Sequence, residues 1–259
     1  MGTWAPRPRD YVGVRGPDAP DLVQRLVSND VTALAPGDSC DALLLTPKAR
    51  VIAPLRILRR GDDDFLLLTE RGLGDTVRAH FLRARFAAKV DVEPEQHESV
   101  VLIGGRDGAG MEAPEYGDDA WEQLDASPPG DPADERELER RRIAATAPAW
   151  GRELDDRVLP AEAGLVERAV SLKKGCFPGQ EPIARLHYRG HVNRRLRRLR
   201  IDGDDLPAYD AEIRQGERVV GRVTSAVPAD GGVLALGYVR TEVAQNADLT
   251  VDERPARLA

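Results

Sequence analysis

The sequence predicts an α+β protein that closes with a small all-β unit, and three observations carry that reading. Strand-like and helix-like segments alternate irregularly and include a hairpin-type break, unlike the regular alternation of a doubly wound parallel sheet. From Arg194 onward no helical period survives, and five short strand-like runs are separated by Gly, Asp and Pro turns. Ahead of that point, helical spacing of apolar residues is confined to a few short stretches.

Taken in order, residues 18–28 read as an amphipathic helix. Asp18 stands at the N-cap, Pro20 in the first turn, and Leu22, Val23, Leu26 and Val27 form one apolar face. Residues 42–46 and 51–59 are strand-like, and the break at Pro47-Lys48-Ala49 makes them a hairpin. An acidic turn at 61–64 leads to a short strand at 65–69. Leu73, Val77, Phe81 and Ala84 then recur at helical spacing up to about residue 88. Strands follow at 89–92 and 99–103. Residues 104–133 are rich in Gly, Pro and acid, and read as a mobile connection carrying one short element. Its glycines at 105, 108 and 110 do not spell a dinucleotide fingerprint. A helix over 135–147 stops before Pro148, and 165–172 is an apolar strand. Residues 180–188 are helix-like. Strands at 194–201, 211–214, 218–225, 233–239 and 248–251 predict a barrel or sandwich. The domain division is therefore 1–193 and 194–259.

A chain of 259 residues can bury a full core without metals or disulfides. Its two cysteines, Cys40 and Cys176, are too few for a disulfide scaffold and point to a reducing cytoplasm. No apolar run reaches the roughly 18 residues that span a bilayer, and the N-terminus lacks the apolar stretch of a signal peptide. A net charge of −7 excludes a globally basic nucleic-acid binder but leaves room for a local basic surface. Cytoplasmic location and a monomer are the expectations.

The segment Lys173-Lys174-Gly175-Cys176-Phe177-Pro178-Gly179-Gln180-Glu181-Pro182 concentrates chemistry. Only four of the 37 basic residues are lysines, and two of them stand just before Cys176. Gly175 and Gly179 suit a tight turn, and Pro182 suits the first turn of a following helix. A sulfur at a helix N-terminus beside ammonium groups is favoured as thiolate. Cys176 is thus the candidate nucleophile, with Lys174 its electrostatic partner, while Cys40 reads as core. His187 and His191 are four apart, but Gly190 interrupts the helix and no fuller ligand set accompanies them, so no metal site is assigned. Between Pro182 and Ile201 stand seven arginines (185, 189, 194, 195, 197, 198 and 200) with no Asp or Glu. Such a stripe could meet RNA phosphates or the carboxylates of a polyanionic ligand; the alternative is a solvated strand face.

Lys174-Gly175-Cys176-Phe177-Pro178-Gly179-Gln180-Glu181 resembles the signature of the YgfZ-type folate-binding proteins, relatives of the glycine-cleavage T-protein. That signature is normally K-G-C-Y-x-G-Q-E, and Phe177 departs from it. Further segments agree in order: Val14–Ala19 with Ser28-Asn29-Asp30-Val31, then Thr46-Pro47-Lys48-Ala49-Arg50-Val51, where Ala49 replaces the usual Gly. Arg142-Ile143 with Pro148 follows, Thr146 standing where Gly is usual, then Pro160-Ala161-Glu162-Ala163-Gly164-Leu165, and in the C-terminal unit Val220–Ser225 and Ala235-Leu236-Gly237.

The resemblance implies a ring of α+β subdomains around a folate pocket, closed by a C-terminal β-barrel. It implies tetrahydrofolate or a one-carbon derivative as ligand and Glu162 as the pterin contact, since a carboxylate accepts two N–H bonds from a guanidine-like edge. Gln180, Glu181 and Arg185 become positioning groups, with Gly175 and Gly179 shaping the turn. It further implies a part in iron–sulfur cluster assembly or repair through Cys176, with client proteins as partners. Two other readings stand beside it: a tRNA-binding or tRNA-modification factor using the stripe from Arg185 to Arg200, and a folate-dependent aminomethyltransferase. Against the last, the aspartate pair of the T-proteins is replaced by Ala53 and Pro54, neither able to serve as acid or base.

Overall fold

The computed structural model describes residues 3–104, 110–128 and 130–259. Strands β1 (Thr3–Pro6) and β2 (Arg9–Arg15) open the chain, followed by helix α1 (Ala19–Leu26). Asp18 precedes α1 but does not cap it with its side chain; that carboxylate accepts from the Lys89 backbone N–H instead. The expected hairpin is β3 (Ser39–Leu45) and β4 (Val51–Arg59), and β5 (Asp64–Glu70), α2 (Gly74–Arg85) and β6 (Asp91–Glu95) complete the unit. These strands form one antiparallel sheet in the order β3-β4-β5-β2-β6.

Strand side chains alternate between faces, so each strand sorts its residues by partner. Val12 and Val14, Ala42 and Leu44, Ala53 and Ile57, and Phe65 and Leu67 pack under Leu22, Val23, Val77 and Phe81 of the two helices. The opposite face carries Arg9 and Tyr11, Asp41 and Leu43, Pro54 and Arg56, and Leu66, Leu68 and Glu70. That second face positions the site described below.

Strands β7 (Ser99–Ile103), β8 (Met111–Glu112) and β9 (Ala120–Leu124) form a second antiparallel sheet with β1, ordered β1-β7-β9-β8. A 3-10 turn, Pro114–Tyr116, lies between β8 and β9. Where the sequence suggests a connection with one short element over 104–133, the structure places two strands and this turn. Composition misleads here because acidic residues of the segment are buried against arginines of the first sheet. Positions 105 and 108, discussed above as glycines, lie outside the described residues. Helix α3 (Glu135–Ala144) then crosses to the second half of the molecule.

The apolar stretch expected as a strand over 165–172 is helical instead. It forms α4 (Val166–Ala169), with the Ala169 N–H bonded to the Leu165 carbonyl. A short apolar run is ambiguous between strand and buried helix, and here the helix wins. Helix α5 (Gln180–Arg189) follows.

Strands β10 (Arg194–Ile201), β11 (Glu212–Gln215), β12 (Arg218–Ala229), β13 (Gly232–Arg240), β14 (Leu249–Val251) and β15 (Arg254–Leu258) close a barrel, ordered β10-β13-β12-β11-β14-β15. The sixth strand, Arg-Pro-Ala-Arg-Leu, carries too little β-branched character to announce itself. It supplies the closing pairing to β10. Residues of β3 and β4 (Leu43, Leu45, Val51), the middle segment (Ile143, Leu165, Ile183) and the barrel (Leu196, Val227, Leu236) share one apolar core. Among the described residues, no helix is long and apolar enough to cross a membrane.

Candidate functional site

The second face of the first sheet builds a charged cavity. Asp41 of β3 and Arg56 of β4 are directly paired across the sheet, as are Arg9 of β2 and Glu70 of β5. Period-two alternation therefore places two acids and two bases side by side. The second sheet packs over them, with Met111 touching Tyr11, Leu66 and Leu68. It brings Glu122 from β9 and Glu115 from the 3-10 turn.

Glu122 is fully buried, and both its oxygens are taken. Arg56 Nη1 and Arg9 Nη2 donate to Oε2, each at 2.9 Å; Arg9 Nε and the Ser99 hydroxyl donate to Oε1. Burial by itself drives the Glu122 carboxyl up, but the two guanidiniums outweigh it and hold it at about 2. Arg56 also donates to Glu115 Oε2 at 2.8 Å and to Asp41 Oδ1 at 3.0 Å, and Arg168 Nε holds the other Asp41 oxygen at 2.9 Å. Arg7 pairs with Glu70. A buried charge costs several kcal/mol unless paired, so this reciprocal arrangement is what permits so many here.

A cavity of about 270 Å³ opens beside this network. Its charged lining includes Arg7, Arg9, Asp41, Arg56, Glu70, Glu115 and Arg168. Leu43, Pro54, Trp150 and Leu165 give it an apolar wall. Arg142 and Glu139 line it as well. Arg142 ties α3 to the barrel, donating to Glu153 at 3.0 Å and to the Ser225 hydroxyl at 2.8 Å. Pro54 stands in the cavity wall, while Ala53 points into the helix-side core. Of the two residues that stand where the resemblance implies an aspartate pair, Pro54 is the one at the cavity, and it carries no ionisable group.

The residues singled out in the sequence fall elsewhere. Cys176 is exposed on the turn between α4 and α5 and is not among the cavity's lining residues. Lys174 is buried, and its ammonium does not serve Cys176. It donates to the carbonyls of Gln24, Val27 and Asn29 at 2.6, 2.7 and 2.8 Å. Burial pulls it down to about 8. Burial pushes the Cys40 thiol up to about 12.

Glu162 is likewise not at the cavity. One oxygen accepts from the Leu159 N–H and the other from Arg194 Nε, each at 3.0 Å. Gly179 does what was expected of it: φ is +83°, and a Cβ there would lie 2.8 Å from the Thr46 carbonyl oxygen. Gly175 has open space around it and needs no glycine. Gln180 is half-buried in the first turn of α5, and Glu181 and Arg185 are exposed. Of the arginine stripe, Arg194 holds Glu162, and Arg197, Arg198 and Arg200 hold Gln245, the Ala144 carbonyl and the Asp230 carbonyl. Arg185, Arg189 and Arg195 have no such partner among the described residues. His187 and His191 are exposed, and the described residues include no metal-ligating group of three or more side chains.

Sequence reasoning missed the Arg9, Arg56, Glu115 and Glu122 set. One signal was available: Arg56 stands between Leu55 and Ile57 in a strand-like apolar run, a charge where packing would be expected.

Comparison with known proteins agrees with this architecture. Residues 193–259 match the family model described as CAF17, C-terminal beta-barrel domain. The chain is 28% identical to a tRNA-modifying protein YgfZ from Edwardsiella ictaluri, an alignment covering 97% of this chain and 86% of that protein. It is 25% identical to an aminomethyltransferase from Rubrobacter xylanophilus, covering 94% and 77%. The glycine cleavage system aminomethyltransferase T of Bartonella henselae superposes with a TM-score of 0.81 over the whole chain and 84% of its own, at 17% identity, a likeness of fold.

Proposed function

For a chain of the YgfZ type, built on the aminomethyltransferase fold and closed by a CAF17-type barrel, we propose that the central cavity binds tetrahydrofolate or a one-carbon derivative. The observation that carries this reading is the cavity's mixed lining. A pterin edge is rich in N–H donors and suits the remaining lone pairs of the Asp41, Glu70 or Glu139 carboxylates, which line the cavity although each already accepts from arginine. The aminobenzoyl ring suits Trp150 and the leucines, and the acidic tail suits guanidiniums such as Arg168. Arg7, a lining residue, has a buried Nε without an acceptor, so the site is short of acceptors that an oxygen-rich ligand would bring. The volume suits a bicyclic head with the tail running outward.

Bound folate would supply a carrier for one-carbon units; the chain's own part is to orient it and exclude water. With Ala53 and Pro54 in place of acids, no side chain at that point of the wall moves a proton, and no aminomethyl transfer is expected. Glu162, with both oxygens committed, has the part of a latch between the 159–165 segment and β10.

Cys176 is the accessible thiol, and the function assigned to it lies in iron–sulfur cluster assembly or repair, acting on client proteins rather than on the cavity's ligand directly. Replacing Cys176 by Ala should abolish complementation of a cluster-deficient strain while folate binding persists; Cys40→Ala should complement. Full complementation by Cys176→Ala refutes the thiol's role.

Calorimetric titration with tetrahydrofolate tests the pocket. Trp150→Ala and Arg168→Ala should each weaken binding about tenfold, the value of one good contact, and Glu162→Ala should bind as the wild type does. Loss of binding in Glu162→Ala alone would move the pocket to the opposite side of the 159–165 segment. No binding by the wild type would end the folate reading.

A further inference from the structure

We propose that the outer face of α5 is a binding surface for single-stranded RNA, with Arg185 and Arg189 on phosphates and Tyr188 as a stacking platform for a base. Three observations converge there, none of them part of the cavity described above. The first is charge left over. Most arginines of this chain are spent on carboxylates or carbonyls, the neighbouring Arg194, Arg197, Arg198 and Arg200 included. Arg185 and Arg189, one helical turn apart, are exposed and carry no ion pair or hydrogen bond among the described residues. Glu181 shares that face one turn earlier and is not paired with Arg185 either. A cationic face on a chain of net charge −7 is local, and the Glu181 carboxylate does not engage its two guanidiniums.

The second observation is Tyr188. It is 70% exposed, and His187 meets its ring edge-on with centroids 4.9 Å apart. On a helical wheel Tyr188 neighbours Arg185 at i−3, so an open π-face and a guanidinium lie together on the surface. The third is the groove alongside. A hollow of about 570 Å³ runs between α5 and the 159–161 segment, with Arg185, Arg189 and His191 on its rim and Pro160, Ile183 and Leu186 in its floor. No carboxylate lines it. The hollow on the other side of α5 does contain Glu162 and Glu167, with Arg195 and His187, and is the poorer host for an anion.

Cations, an exposed aromatic and an apolar recess without acids are what a single strand requires: phosphates at intervals, with bases free to stack. A duplex offers no splayed base to Tyr188 and is the weaker ligand.

The test is fluorescence anisotropy of a labelled 12-nucleotide single-stranded RNA with the full chain, between about 50 and 200 mM salt. Two to three neutralised phosphates predict a log–log salt slope near −1.4 to −2, a fall in affinity of about seven- to twentyfold over that range. The double variant Arg185→Gln/Arg189→Gln should flatten the slope by about 1.4. Tyr188→Ala should weaken binding about tenfold, the worth of one stacked base, and leave the slope unchanged. Arg71→Gln, an exposed arginine after β5, should bind as the wild type does. Equal affinity for duplex RNA or heparin, or indifference to Tyr188→Ala, would reduce the face to a polyanion surface and overturn the proposal. Absence of binding would do the same.

Discussion

Lys174 shows how a single side chain can be read correctly as unusual and wrongly as to its use. An ammonium has three donors, and here each meets a carbonyl near the C-terminal end of α1 or just beyond it, where helix carbonyls lack intrahelical partners. The favourable field at a helix C-terminus adds to those bonds. Lys174→Met leaves the carbonyls unsatisfied in a buried place and should lower the unfolding free energy by about 3 kcal/mol. Urea denaturation measures this, and an unchanged midpoint would deny the anchor. The Lys-Gly-Cys order suggested a partnership with Cys176 because chain adjacency was the only adjacency available. Partners more than a hundred residues away were not legible, and neither was the pairing of Glu162 with Arg194, 32 residues apart. Gly179 was legible because the left-handed φ of its turn is a local requirement, whereas the Thr46 and Ala49 backbone packed against it was not.

At the scale of the element, two of the non-glycine residues with positive φ stand in the turns after β3 and α3. Ala49, at the β3–β4 turn, has φ of +58°, and Thr146, after α3, has φ of +56°. Both are positions at which the resemblance leads to the expectation of Gly, and the backbone there has the left-handed shape that a Cβ disfavours. Relief of that strain is worth about 1–2 kcal/mol per residue, offset by about 0.5–1 kcal/mol of glycine's extra freedom in the unfolded chain. Thr146→Gly should therefore stabilise by roughly 0.5–1 kcal/mol, observable as a raised melting temperature. Ala49→Gly should come out near neutral, because Ala49 is buried and its methyl is worth about 0.8 kcal/mol. Alternating and apolar strands were readable, residues 99–103 and 194–201 to their ends. β9 was not, since its Glu122 lies in the core only because Arg9 and Arg56 arrive from other strands.

Across the whole molecule, His97 bridges the two sheets. It follows β6, and its Nε2 lies 3.0 Å from Glu95 while its Nδ1 lies 2.7 Å from Asp125, just past β9. Burial lowers its pKa, but the Asp125 and Glu95 carboxylates outweigh that and leave it raised. A raised histidine binds its proton more tightly folded than unfolded. The stabilisation is therefore complete below the unfolded value of about 6.5 and disappears as pH climbs through the folded one. His97→Ala should cost more at about pH 5.5 than at about pH 9, by denaturation at both; equal costs would remove the bridge.

The closing position of β15 has its own consequence for how the chain comes off the ribosome. Residues 254–258 shut the barrel between β14 and β10, so until that segment emerges both neighbours present unpaired edges. Translation therefore completes β10 to β14 before the barrel can seal, and this interval is when a nascent chain is most exposed to wrong pairing with its neighbours.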